Sequence, residues 1–234
     1  MSAVFKRELR AYFISPIGYV FLGVFLAISG FYFATTCVMG GVPTISNVLT
    51  SSIVVFLFLV PILTMRLLSE ERGNKTDQIL LTSPVSVPGI VLGKFLAAAC
   101  VFVLSLVLSL FYMIILEIFG DPSWGEAIGG YVGFLFLGLT FIAIGMFVSS
   151  LTESPVVSAI ATFGVLLILF VCGVLSYYVS GPVSGKIVEW VSLTRWYDDF
   201  AIGIFSVPSI VYYLSIIVFF LVLTIRQVEQ RRWN

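Results

Sequence analysis

Apolar residues run without a charged residue over positions 11–65, 95–116, 127–152, 154–185 and 200–225. Each run exceeds the length needed to cross a hydrocarbon core of about 30 Å at about 1.5 Å of helical rise per residue. The first run holds two crossings, because Gly40, Gly41 and Pro43 interrupt it with residues that suit a turn and not a helix interior. The pattern thus predicts six spans, near 17–38, 46–65, 95–116, 129–150, 156–178 and 205–225. Strings such as VFVLSLVLSLFYMIIL and IVVFLFLVPIL are apolar on every face. Barrel strands would instead alternate polar and apolar residues over about ten positions, so the expected class is an all-α polytopic membrane protein, one transmembrane domain over 1–234.

Polar residues locate what lies between the spans. Before the first span, AVFKRELRAYF puts Phe5, Leu9, Tyr12 and Phe13 on one helical face and Lys6, Arg7 and Arg10 around the other. That pattern predicts an interfacial elbow helix at about 3–14, with Ser15 and Pro16 marking the bend into the membrane. With the N-terminus inside, the inner segments carry ten Lys and Arg residues and the outer ones only Lys186 and Arg195. Both termini and the segment 66–94 are therefore expected in the cytoplasm, a bias that the formal net charge of zero conceals. The first apolar run is longer than about 15 residues and ends in no small-x-small pattern, so no cleaved signal peptide is expected.

Composition then narrows the chemistry. At 60% apolar and 10% charged residues, the chain is built for lipid. It has no histidine, which removes Ser-His and Cys-His pairs, His-based metal sites and the HExxH motif. Cys37, Cys100 and Cys172 show no motif spacing, so neither a disulfide nor a metal site is suggested. Asp77, Asp121, Asp198 and Asp199 all fall outside the spans, leaving no aspartate pair at mid-membrane. The stretch from Gly89 to Phe95 is not a phosphate loop: three residues separate its glycines where four are needed, and Phe95 stands where Ser or Thr would hold magnesium. The chain is expected to be no enzyme, with no cofactor of its own. Ion-coupled transporters place ionisable residues inside their spans, whereas here Glu117 and Glu153 come nearest and both suit helix ends. A secondary transporter or channel stays as the alternative, since Asn, Ser or carbonyl groups can line a path.

Two further patterns stand out. Gly125, Gly129 and Gly133 recur at four-residue intervals, with Gly145 and Ser149 repeating the spacing, which suits close helix packing and can also serve dimerisation. The outer segment GKIVEWVSLTRWYDDFAIG reads either as a half-buried external helix with an aromatic belt or as an external gate in which Arg195 pairs with Asp198 or Asp199.

The cytoplasmic insert is the most charged stretch, with Arg66, Glu70, Glu71, Arg72, Lys75 and Asp77 ahead of Lys94. Arg66 and Lys94 would each cost about 3 kcal/mol at mid-bilayer and so mark the inner ends of two spans. Asn74 or Thr76 can cap a short helix, Ile79, Leu80 and Leu81 give it an apolar ridge, and Pro84 ends it. Ser86 and Pro88 suit the start of the third long helix. Such a ridge fits a groove on a soluble partner, or dips into the lipid interface.

The insert EERGNKTDQILLTSPVSVPGIVLGKF resembles the intracellular loop between the second and third spans of exporter-class (type 2) ABC transporter permeases. The residues that carry the likeness are Glu70, Glu71, Arg72, Thr76, Leu80, Leu81, Thr82, Ser83, Pro84, Val91, Leu92, Gly93 and Lys94. Many relatives have Gly just before the Thr, where this chain has Lys75. KRELRAYFISPIGYVFLGVF and the C-terminal FAIGIFSVPSIVYYLSIIVFFLVLTIRQVEQRRW resemble the ends of the gliding-motility-associated branch. The resemblance implies a half-transporter of the bacterial inner membrane that pairs with itself or a sister permease and sits among membrane lipids on two separate ABC ATPase subunits. ATP and magnesium would be held by those subunits, nucleic acid is no expected partner, and substrate would be exported. It also implies that the insert is a coupling helix, with Glu70, Glu71, Arg72, Thr76, Leu80, Leu81, Pro84 and Lys94 as ATPase-coupling residues.

Overall fold

The computed structural model describes residues 1–76, 86–120, 122–176, 178, 190 and 192–233. Among the described residues the α-helices follow in the order α1 Ser2–Ile14, α2 Pro16–Phe33, α3 Ile45–Thr64, α4 Ser69–Gly73, α5 Val87–Ser109, α6 Phe111–Phe119, α7 Trp124–Leu151, α8 Pro155–Ser176, α9 Tyr197–Ala201 and α10 Val207–Trp233. No strand occurs among the described residues. Among the described residues six helical stretches are long and apolar enough to cross a membrane: Pro16–Met39, Ile45–Gly73, Val87–Ile118, Trp124–Leu151, Pro155–Ser176 and Val207–Arg231. The protein is an all-α integral membrane protein.

Local chemistry sets the boundaries. Ser15 is extended, and Pro16 opens α2, where a missing N–H costs nothing because first-turn donors have no helical acceptor. At its far end α2 widens into a π-helical turn, Ala34–Met39, and Gly41 then turns the chain at φ +66°. Ser86 is extended before α5, with Pro88 in the first turn, as the sequence suggested. Helix α5 therefore begins two turns before Lys94, which sits inside the helix and not at its end.

The bundle centres on α7 and α3, the two most buried spans, while α2, α8 and α10 leave most of their surface open to lipid. Lipid tails are as apolar as leucine, so association between spans rests on dispersion and close approach. Phe56 of α3 is the hub, fully buried with its ring centroid 4.9 Å from Phe102, 5.2 Å from Phe134 and 6.1 Å from Phe141. Phe21 and Phe25 of α2 close the cluster at 6.2 and 6.3 Å.

Two glycines of the α7 stripe pack within the chain, while Gly125 faces open space. A Cβ at Gly129 would run into the carbonyl oxygen of Phe200, and one at Gly133 would lie 2.5 Å from the Phe200 Cβ. Helix α9 thus lies directly on the α7 backbone, with Tyr197 and Phe200 buried against it. Trp196 stacks on Tyr212 of α10 at 4.8 Å, and Tyr213 donates to the Leu193 carbonyl at 2.6 Å. From residue 192 onward the outer segment packs over α7 and α10 with one face buried, through Leu193, Tyr197 and Phe200, while Arg195, Ile202 and Ile204 stay exposed.

Candidate functional site

The sequence-selected residues collect at one end of the bundle, around α4. Pro61 lies in the last turn of α3, where the Met65 N–H donates to its carbonyl at 2.8 Å and the helix then stops. The short α4 that follows has first-turn N–H groups needing acceptors. None comes from its own cap: the hydroxyl of Ser149 on α7 accepts from both Leu68 N and Ser69 N at 3.2 Å, and it donates to the Met65 carbonyl at 3.1 Å. One fully buried hydroxyl therefore joins the end of α3, the start of α4 and the body of α7.

The charged residues of α4 each reach a different neighbour. Glu70 takes both arms of the Arg66 guanidinium at 2.5 Å, an i,i+4 pair at the membrane edge. Arg72 donates to the Leu151 carbonyl at 2.7 Å and pairs with Glu153 at 2.8 Å, tying α4 to the α7–α8 turn. Arg231 of α10 donates to the neighbouring Ser150 carbonyl, so two guanidinium groups meet the unsatisfied carbonyls that end α7. Glu71 points the other way, to Arg7 at 2.6 Å and Lys94 at 3.0 Å.

Lys94 is the most buried charge, with its side chain 1% exposed. Its ammonium lies 3.1 Å from Glu8 and 3.0 Å from Glu71, and Arg7 bridges the same two carboxylates at 2.6 Å each. The cluster is neutral overall, two cations against two anions, which is the condition for tolerating such burial. Desolvation pulls the Arg7 guanidinium down, but Glu8 and Glu71 outweigh it and hold its pKa above the ordinary value. Further along α1, burial pushes the Tyr12 phenol far up, so it stays protonated and donates to the Leu63 carbonyl at 2.7 Å.

Beyond α4 the chain turns at Lys75, whose φ is +56°. Thr76 closes that turn, its N–H donating to the Glu71 carbonyl at 2.9 Å and its hydroxyl to the same oxygen at 3.3 Å. Leu80, Leu81 and Pro84 lie outside the described residues. At the opposite end, Arg195 pairs with Asp198 at 3.7 Å, and Asp199 accepts from Ser209 at 3.4 Å.

Sequence reasoning brought together Glu71 and Lys94 in one motif, and the structure brings them into one contact. It missed Glu8, Ser149 and Glu153 as partners. Glu8 carried a signal, being the single acidic residue in an otherwise basic elbow. No group of His, Cys, Asp or Glu suited to a metal ion occurs among the described residues. The arrangement is a braced platform at the end of two spans, held to α1, α5, α7 and α8.

The family described as ABC-2 family transporter protein matches residues 43–226. A comparison with curated proteins returns no match.

Proposed function

Because the chain belongs to the ABC-2 transporter family, whose membrane domain is an ABC permease, we propose that it moves its substrate out of the cytoplasm using ATP hydrolysed on two separate ATPase subunits. A second permease, identical or a sister chain, completes the translocation path in the bacterial inner membrane, with both termini of each chain in the cytoplasm. In this proposal the chain is read as akin to the gliding-motility-associated branch, on the sequence likeness of its two ends. The observation that carries the proposal is the platform around α4: a short helix at the inner ends of α3 and α5, fixed by Ser149 and Arg72 to α7 and α8. A push on such a platform reaches the four spans α3, α5, α7 and α8 as one rigid body, which is what an ATP-driven switch requires.

In this reading the Ile79, Leu80 and Leu81 ridge seats in a groove of the ATPase, where apolar anchors carry most of the binding energy. Glu70, Arg72 and Thr76 shape the near side of that contact, and Arg195, Asp198 and Asp199 form the external gate. Leu80→Asp is expected to reduce ATPase co-purification from membranes by tenfold or more while the permease still inserts. Full co-purification in that variant, with unaltered ATPase turnover, would remove the insert from the coupling role.

A further inference from the structure

Two residues of the insert motif do not face outward. Glu71 and Lys94 turn toward the elbow helix α1, and everything around them serves that contact. A Cβ at Gly93 would lie 3.2 Å from the Cβ of Val4 and 3.3 Å from the Met1 carbonyl, so the residue beside Lys94 is where α1 rests on α5. Phe5, Leu9 and Phe13, the face that the sequence assigned to lipid, pack against the bundle core. Tyr12 reaches the last turn of α3 through the Leu63 carbonyl. The elbow is thereby fastened to both arms of the insert and to the insert itself: to α3 by Tyr12, to α4 by Arg7 and Glu71, and to α5 by Glu8 and Lys94.

We propose that Arg7, Glu8, Glu71 and Lys94 form an internal latch that makes the elbow helix a moving part of the coupling element, with Lys94 and Glu71 as positioning residues that do not touch the ATPase. The inference rests on the reading of segment 66–94 as the coupling element. The physical reason is the cost of opening the cluster. Lys94 is excluded from water, so sliding α1 away would break the Lys94–Glu8 and Arg7–Glu71 contacts and leave each charge with one partner where it now has two, whereas moving the helices together breaks nothing. A surface ion pair could slip past its partner at little cost, and this one cannot.

The test uses the permease in complex with its ATPase, with Cys37, Cys100 and Cys172 replaced by Ala. Spin-label pairs Lys75→Cys with Val38→Cys and Lys6→Cys with Val38→Cys follow the insert and the elbow against a fixed point at the far side of the membrane. Adding a non-hydrolysable ATP analogue is expected to shift both distances in the same direction. Lys94→Met is expected to retain ATPase co-purification and the insert's shift while reducing the elbow's shift at least threefold. Glu8→Gln, which leaves Lys94 paired with Glu71, is expected to halve the elbow's shift and serves where Lys94→Met does not fold. An elbow that stays still in the native chain while the insert moves overturns the latch, as does an elbow shift that survives both substitutions. Loss of the ATPase in Lys94→Met would place Lys94 at the partner contact instead. An insert that fails to move at all overturns the coupling reading, and the latch with it.

Discussion

Lys75 holds a backbone conformation that suits glycine. At φ +56° an L-residue brings its Cβ close to the following carbonyl, a strain of about 1 kcal/mol that glycine does not carry. Its side chain is exposed, so nothing in the packing offsets this. Lys75→Gly is therefore expected to raise stability by about 1 kcal/mol, read as a rise of about 2–4 °C in the thermal midpoint of the detergent-solubilised protein. Lys75→Val, with two heavy atoms on Cβ, is expected to lower it. Equal midpoints for the glycine and valine variants would show that the turn relaxes without strain. This residue was legible beforehand, since the resemblance marked the position as one where relatives have Gly. Lys94 was legible only as a charge at a span boundary. Its burial depends on Glu8, 86 positions away, and no local pattern reports such a pairing.

Helix α4 shows how an element of five residues persists without strength of its own. A single turn fixes several backbone dihedrals for about one hydrogen bond, so isolated α4 would not form. What holds it is the hydroxyl of Ser149, which satisfies the N–H groups of Leu68 and Ser69. Ser149→Ala leaves both donors in an apolar setting, at a cost of about 1–3 kcal/mol. The expected outcome is local: amide hydrogen exchange over residues 66–73 accelerates about tenfold, while α7 stays protected. Ser150→Ala is the matched control, because that hydroxyl only returns to Phe147 in its own helix. Like exchange in the two variants would mean that α4 is held by its ion pairs instead. The long spans were legible because an uninterrupted apolar run over 20 residues has few alternatives in lipid. Helix α4 was not, since its charges and single apolar neighbour give no period, and its support comes from another span.

At the scale of the whole molecule, the two charged platforms lie at opposite ends of one apolar bundle, and orientation decides which of them would face the proposed ATPase. Positive residues are retained on the cytoplasmic side, and ten of the twelve fall on the side of the insert. Several of these are also structural: Arg72 and Arg231 meet the carbonyls at the end of α7, while Arg7 and Lys94 hold α1 in place. Reversing the chain would thus carry the same residues to the outer face with their contacts intact, so packing alone does not fix orientation. With the native cysteines replaced by Ala, Lys75→Cys and Trp190→Cys provide exposed thiols near the two ends. In intact spheroplasts a membrane-impermeant maleimide is expected to label Trp190→Cys and to reach Lys75→Cys only after permeabilisation. The opposite pattern would place α4 and its latch outside the cell, beyond any cytoplasmic ATPase. The proposed coupling role therefore rests on charge distribution for its side of the membrane, and on Ser149, Arg72 and Lys94 for its mechanics.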